Sequence, residues 1–345
     1  GGNSQMKTGI YTNAFREYPF EVAAKKIRDA GIDMIELGCG EESGFAHCNP
    51  EELLASESRL DAFRGCIADN GLEISALSCH GNPVSPNEAT RELSVRSMKN
   101  AVLLAEKLGL RNINCFSGCP GDWEGASLAN WVTVGWPMDY AQMYAWQWNE
   151  KLLPFWREFT AFAREHGIDR IGLELHPGQC CYNPRSLKRL REACGEEIGV
   201  NLDFSHLLWQ RMDPILVIRE LEGMIYHMHA KDIHLDEAMV RENGLINTAY
   251  FDEPRKRSWN FRSIGYGHGP EFWRNVFAEL RRCGYDYVAS IEMECEVLSI
   301  PDALPKAVKF LHDNLPMDED PQEQSWQKKT HAGKVKRLQE YGWTE

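Results

Sequence analysis

The sequence lacks the features that mark several classes of protein. It has no apolar run near the roughly 18 residues of a membrane span, and no signal peptide is visible. Its 11 cysteines are scattered without any Cys-x-x-Cys pair, which argues against a zinc ribbon and against a disulfide framework. Scattered cysteines are typical of a reducing compartment, so we expect a cytoplasmic protein.

Positive charge is also scarce. Lys and Arg number 38 against 51 Asp and Glu, which gives a formal net charge of -13. This balance argues against nucleic acid and against an anionic membrane surface as partners. A Gly-rich P-loop is absent as well, which favours an unphosphorylated substrate.

The length and the apolar content fit one large domain. The chain has 345 residues, of which 43% are hydrophobic, and a (β/α)8 barrel needs about 250 residues. We therefore expect one barrel at residues 6–316, preceded by a vector remnant at 1–5 and followed by a tail at 317–345. The tail is charged with scattered aromatics, and it is either disordered or an arm that lies on a neighbour.

Apolar runs alternate with amphipathic stretches throughout this region, and a glycine follows nearly every predicted helix. Residues 50–70 are predicted to form one continuous helix. This rhythm predicts an α/β fold with a parallel sheet of eight βα units, which is the number that closes a (β/α)8 TIM barrel. Long insertions follow strands 4 and 7, at 117–156 and 234–269. The predicted strands are 6–13, 32–38, 72–79, 110–116, 168–175, 198–204, 224–230 and a last strand that ends at Glu292.

The first insertion carries six of the 11 tryptophans. Loops at the catalytic end of a barrel often enclose the substrate, and aromatic rings stack well on the apolar faces of sugars. A dimer contact or a small satellite core is an equally good interpretation, because aromatic residues are enriched at interfaces too.

Four apolar runs in the second half of the chain each end near a residue that can bind a metal: Glu174, Asp203, His229 and Glu292. The carboxyl ends of barrel strands meet on the face that holds active sites. Three carboxylates and one imidazole suit Mn²⁺, Mg²⁺, Co²⁺ or Zn²⁺. Any one acid could be a helix cap instead, but burying four such groups together without a cation would be costly. We therefore predict that these four residues hold one divalent metal ion.

The motifs around these residues resemble a known family. Leu173-Glu174-Leu175-His176-Pro177-Gly178, Asp203-Phe204-Ser205-His206-Leu207, His229-Ala230-Lys231-Asp232 and Ser290-Ile291-Glu292 resemble the xylose-isomerase-like (β/α)8 barrels known as sugar phosphate isomerases or epimerases, over residues 6–315. The resemblance implies that the four residues bind one ion, with Mn²⁺ as the first choice. It also implies that Glu174 and Glu292 act as acid and base and that His206 contacts the substrate.

A narrower resemblance concerns the Glu-x-His-Pro-Gly turn and residues 259–269, which look closer to a subgroup with C-glycoside deglycosidase catalytic subunits and 3-keto-sugar enzymes. That subgroup tends to have Ile-Glu-His-Glu-Asp on strand eight. Here the segment reads Ile291-Glu292-Met293-Glu294-Cys295, so the metal glutamate is kept while a histidine and an aspartate are replaced.

Two enzymatic hypotheses follow. In the first, an isomerase or epimerase removes a proton next to a carbonyl through a metal-stabilised enediolate, with Glu174 and Glu292 as the acid/base pair and His176 or His206 positioning a hydroxyl. In the second, a lyase, deglycosidase or hydratase acts on a 3-keto-glycoside (a C- or O-glycoside), and His176 is the base. His176 could instead only orient Glu174. An abasic-site endonuclease shares the architecture but would need a basic groove, and a non-catalytic binding protein is the last alternative.

Weaker candidates for contacting a sugar or keto-sugar substrate are His80, Lys231 and Arg262. His80 could instead satisfy loop backbone groups, and Lys231 could instead pair with Asp232 at the surface. His227 shares a strand face with His229, and it is either a further weak site candidate or a packed core histidine. For assembly, we leave a homo-oligomer and a small partner subunit as open alternatives.

Overall fold

The structure is a computed structural model that describes residues 6–316 and Tyr341. The predictions for residues 1–5 and for the tail therefore fall outside the described residues, except at Tyr341. Among the described residues, no helix is both long and apolar enough to cross a membrane.

Eight parallel strands close on themselves, as the sequence predicted. The barrel strands are β1 (Lys7–Tyr11), β2 (Met34–Gly38), β3 (Glu73–Ser78), β4 (Asn112–Cys115), β5 (Arg170–Glu174), β6 (Ile198–Asp203), β7 (Ile225–Leu235) and β9 (Val288–Ile291). Each pairs with the next in this order, and β9 pairs with β1 to close the ring. A further strand, β8 (Trp259–Ser263), pairs with β7 and runs antiparallel to it.

The helices surround this ring. They are α1 (Phe20–Asp29), α2 (Pro50–Leu54), α3 (Glu57–Asp69), α4 (Glu88–Leu108), α5 (Met138–Trp146), α6 (Leu153–Glu165), α7 (Pro184–Cys194), α8 (Phe204–Trp209), α9 (Pro214–Glu220), α10 (Glu237–Asn243), α11 (Pro270–Arg282) and α12 (Ile300–Asn314). A π-helical stretch, Gln147–Leu152, joins α5 to α6. Short 3₁₀ helices cover Thr12–Phe15 and Pro254–Lys256.

Local signals explain most helix ends. The Asn87 side chain accepts the N–H of Thr90 at the start of α4, and the helix ends at Gly109, whose φ of 69° suits glycine. The single helix predicted over 50–70 is wrong, because Ser56 caps a new helix by accepting the N–H of Arg59. The short helix α8 directly after β6 was also not predicted.

The Trp-rich insertion divides between core and surface. Trp148 and Trp156 are fully buried, and the Trp156 indole donates to the Ser117 carbonyl. Trp123 and Trp136 are exposed. At least two of the six tryptophans therefore belong to the hydrophobic core.

The second insertion is more ordered than predicted, because β7 continues past the barrel and forms a hairpin with β8. Asp232 anchors it from the outer face of β7. Its carboxylate accepts the backbone N–H groups of Gly265, Gly267 and His268 and the indole N–H of Trp273. A side chain at Gly267 would meet the Ile233 carbonyl oxygen at 1.8 Å, so only glycine allows this approach.

Candidate metal centre and substrate site

The structure brings the four predicted metal ligands together, and we call them the quartet: Glu174, Asp203, His229 and Glu292. Glu174 and Asp203 are the last residues of β5 and β6, His229 lies in β7, and Glu292 directly follows β9. The Nδ1 of His229 lies 3.1 Å from Glu292 Oε2, 3.6 Å from Glu174 Oε2 and 4.0 Å from Asp203 Oδ2. This spacing places three carboxylates around one imidazole nitrogen.

Among the described residues, two buried atoms of the quartet form only ion-pair contacts and no hydrogen bond of good geometry, namely Asp203 Oδ2 and His229 Nδ1. Asp203 Oδ1 accepts the N–H of Ser205, so this aspartate does cap α8, but its Oδ2 stays available to an ion. Burial raises the pKa of Asp203 to about 7. Buried polar atoms without a good hydrogen bond are costly, and a cation held by these atoms would satisfy both. The residues present therefore fit a divalent metal ion, and Glu174, Asp203 and His229 form a group whose ligand atoms lie close enough to share one.

Two of the predicted substrate-binding histidines contact the carboxylate of Glu174. His206 Nε2 lies 3.0 Å from Glu174 Oε1, and His80 Nε2 lies 3.1 Å from Glu174 Oε2. Burial alone would raise the pKa of Glu174, but the hydrogen bonds from His206 and His80 outweigh it and hold that pKa well below its usual range. The His80 ring contacts Ser43 Oγ on its other side, so it does not serve loop backbone groups.

His176 lies beside this pair. Its Nδ1 donates to the Pro177 carbonyl at 2.7 Å, which leaves the Nε2 lone pair without a proton. The ring centroid lies 4.2 Å from that of His206 and 5.0 Å from that of Phe116. Burial lowers the pKa of His176, so the ring is neutral near neutral pH and can accept a proton at Nε2.

Lys231 is buried at the site rather than exposed. Its ammonium lies 2.9 Å from Glu292 Oε2, 2.6 Å from Glu294 Oε2 and 3.4 Å from Asp203 Oδ2. Burial would lower the pKa of Lys231, but Glu292 and Glu294 outweigh burial and raise it well above its usual value. The alternative of a surface pair with Asp232 is wrong, because Lys231 is buried and consecutive strand residues point to opposite faces.

The β7–β8 hairpin and the segment after β9 form the outer part of the site. Arg262 on β8 pairs with Glu296 at 2.6 Å, and the ring of Phe261 lies 4.1 Å from the Lys231 ammonium. The structure thus brings Arg262 near the site, although it contacts Glu296 rather than the quartet. We call this set the rim cluster: Lys231, Phe261, Arg262, Glu294 and Glu296.

Deeper in the barrel lies an acid that the sequence analysis missed. Glu36 on β2 is fully buried and accepts hydrogen bonds from Ser78, Asn114 and Ser290. The available signal was an acid inside the apolar run Met34-Ile35-Glu36-Leu37, the same pattern as around Glu174. We call Glu36, Ser78, Asn114 and Ser290 the inner network.

His227 also lies deep in the barrel. It is fully buried, and its ring contacts Asn201 Oδ1 at 2.9 Å and Ser75 Oγ at 3.1 Å. Burial lowers the pKa of His227 to about 4, so the structure favours the alternative of a neutral core histidine.

A closed ring of eight parallel strands with polar side chains gathered at the carboxyl ends defines a TIM barrel. The chain belongs to the xylose isomerase-like TIM barrel family, whose model matches residues 24–314. It is 32% identical over 315 residues to the protein YfiH of Bacillus subtilis (strain 168), which covers 90% of this chain and 99% of that one.

Solved structures support the same fold at low sequence identity. The AsbF protein of Bacillus anthracis, described as a probable 3-DHS dehydratase, matches 89% of this chain and 99% of its own with a TM-score of 0.63 and 19% identity. An L-ribulose 3-epimerase matches 90% of this chain and 95% of its own with a TM-score of 0.58 and 18% identity. A Mycobacterium smegmatis barrel solved in complex with magnesium matches 90% and 98% with a TM-score of 0.61 and 16% identity.

Proposed function

We propose that this protein is a divalent-metal-dependent carbohydrate isomerase or epimerase that moves a proton on a carbon next to a carbonyl. The observation that carries the proposal is the convergence of the quartet, in which Asp203 Oδ2 and His229 Nδ1 are buried and form no hydrogen bond of good geometry within the described part of the chain. Family membership supports it, since one of the similar barrels is an epimerase by name.

The quartet would hold the ion through carboxylate oxygens and His229 Nδ1. Such an ion supplies Lewis-acid polarisation of the substrate carbonyl. We propose Mn²⁺ because the ligand set is mostly hard oxygen, and the magnesium-bound relative supports a hard cation.

The acid/base work is assigned to Glu174 and Glu292. His206 and His80 keep Glu174 ionised, so this carboxylate can take the proton from the substrate carbon. Glu292, 3.1 Å from His229 Nδ1, enters in the acid form and donates its own proton to the neighbouring carbon or to the opposite face, while Glu174 keeps the proton it took until exchange with solvent restores both groups. Lys231 lies within 2.9 Å of Glu292, so its ammonium stabilises the negative charge that Glu292 regains on releasing the proton.

Solvent hydrogen exchange tests this reaction. The Mn²⁺-loaded protein is incubated in D₂O with a panel of ketoses, inososes and 3-keto-glycosides, and products are examined by NMR and mass spectrometry. We expect deuterium to enter next to the carbonyl while the carbon skeleton stays intact. If no member of the panel exchanges, proton abstraction next to a carbonyl is the wrong chemistry.

A second candidate function rests on His176. Its unprotonated Nε2 and its position beside His206 suit a base that removes a proton before a leaving group departs, as in a lyase, deglycosidase or hydratase acting on a 3-keto-glycoside. The similarity to a dehydratase supports it. In the same experiment this function predicts deuterium incorporation together with release of water or of an aglycone, and loss of that release in His176→Gln.

A further inference from the structure

Glu36 is a buried carboxylate whose ion-pair partners are His227 and His229. Ser78 Oγ donates to its Oε1 at 2.5 Å, Asn114 Nδ2 donates to Oε1 at 3.2 Å, and Ser290 Oγ donates to Oε2 at 2.7 Å. Each of these three side chains donates, so both oxygens of Glu36 serve as acceptors.

The remaining contact of Glu36 is with the quartet. His229 Nε2 lies 3.0 Å from Oε1 and 3.0 Å from Oε2 of Glu36. The amide nitrogen of Asn201 lies 3.2 Å from the same ring nitrogen. Carboxylate oxygens accept, so Glu36 favours a proton on Nε2, and an ion held by the quartet would then take the lone pair on Nδ1. That Nδ1 lies among the carboxylates of the quartet, 3.1 Å from Glu292 Oε2.

We propose that Glu36 is a positioning residue for the metal centre: it fixes the tautomer and the ring orientation of His229 so that Nδ1 faces Glu174, Asp203 and Glu292. This inference rests on the metal centre of the proposed function, but it assigns a role to a residue of a different strand. The inner network holds Glu36 in turn, through donors on β3, β4 and β9.

Supporting residues of this kind change metal affinity by about 10–100-fold when they are replaced. We therefore expect Glu36→Gln to weaken Mn²⁺ binding by that factor while the metal-free protein keeps its circular dichroism spectrum. Ser75→Ala is the matched control, because Ser75 is a buried barrel residue that hydrogen-bonds His227 and not Glu36. We expect the control to bind Mn²⁺ within about threefold of the wild type, the scale of one neutral hydrogen bond.

Two measurements are needed. Mn²⁺ dissociation constants come from titration followed by electron paramagnetic resonance, and the His229 tautomer comes from long-range ¹H–¹⁵N spectra of the Mg²⁺-loaded protein, with His229 assigned by its missing signals in His229→Gln. We expect the proton on Nε2 in the wild type and a mixture of tautomers in Glu36→Gln. The tautomer of the wild type is informative even if Glu36→Gln fails to fold.

The outcomes separate the two proposals. If the wild type binds neither Mn²⁺ nor Mg²⁺, the metal centre itself is wrong and both proposals end. If the wild type binds the ion but Glu36→Gln binds it equally well, or if the wild type carries the proton on Nδ1, only the role of Glu36 is overturned. Weaker binding in Glu36→Gln with unchanged binding in Ser75→Ala supports it.

Discussion

The inner network and the rim cluster contact the same quartet from opposite sides, and they are built differently. The inner network draws on four barrel strands, and its members are almost entirely shielded from solvent. The rim cluster comes from an antiparallel hairpin and a loop, and its Glu294 side chain is 51% exposed. This difference indicates that the barrel strands fix the positions of the ligand atoms, whereas the insertions determine which molecules can approach those atoms.

The largest effect is expected for the quartet itself. Asp203→Ala removes a ligand oxygen and should weaken Mn²⁺ binding by more than the roughly 100-fold upper limit for supporting residues. Hydrogen exchange into substrate should disappear with the metal. Calorimetric titration and elemental analysis measure the loss, and Asp169→Ala, which loses only an exposed pair with Arg111, is the control. Full activity in Asp203→Ala would show that the quartet is misassigned.

The next effect concerns the anchor of the hairpin. Asp232→Asn replaces a carboxylate that accepts several buried N–H groups, so the free energy of unfolding should fall by about 3 kcal/mol. Urea denaturation measures this change, and amide exchange should rise at Gly267 and His268. Asp236→Asn, at the N-cap of α10 between β7 and β8, should be nearly neutral because Asn caps helices about as well as Asp. Equal losses in both variants would contradict a specific role for Asp232.

Replacing Lys231 distinguishes most directly between the effects of the rim cluster and those of the quartet. Lys231→Met removes an ammonium 2.9 Å from Glu292 and 3.4 Å from Asp203, and this positive charge opposes a bound cation. We expect Mn²⁺ to bind about tenfold more tightly, equivalent to ~1.4 kcal/mol, while turnover falls. Calorimetry and steady-state kinetics give the two numbers. A loss of metal affinity would mean that Lys231 supports the ligands instead of opposing the ion.

A smaller effect, on KM, is expected for Arg262 of the rim cluster. Arg262→Met breaks the pair with Glu296 and should raise KM about two- to fivefold, consistent with at most ~1 kcal/mol for a partly exposed pair. The Mn²⁺ dissociation constant should not change. Arg211→Met, which loses an exposed pair with Glu237, should leave KM unaffected. The prediction is wrong if metal affinity changes as much in Arg262→Met as in Lys231→Met.

The smallest expected effect is a pH-dependent change in stability at Glu197, which lies outside both regions. A hydrogen bond from Arg164 lowers the pKa of Glu197. A lowered folded pKa adds stability above the unfolded value of about 4.3, and this stability is lost as the pH falls through the folded value. Glu197→Gln should therefore be slightly less stable than the wild type at pH 7, and the two should converge in acid. A difference that grows on acidification would contradict this sign.

The barrel and the quartet could be predicted because their signals are local. Each quartet residue stands at the end of an apolar run, and parallel strands necessarily bring such ends together. Glu36 has a similar local signal, but its role could not be predicted, since its partner Ser290 is 254 residues away along the chain. The ion pair of Lys231 with Glu292 could not be predicted for the same reason, because 61 residues separate them. The hairpin was missed because β8 lies inside a polar segment with no helix–strand rhythm.

One feature of the hairpin bears on how such a barrel can be diversified. The Asp236 N–H donates to the Ser258 carbonyl, so the segment between these residues leaves and rejoins the barrel at one point. Each doubling of the length of a segment closed in this way raises the free energy of loop closure by only about 0.6 kcal/mol. The length of residues 237–257 can therefore differ at little cost while the barrel beneath stays the same, provided that Phe251 and Arg257 keep their packing on Trp259.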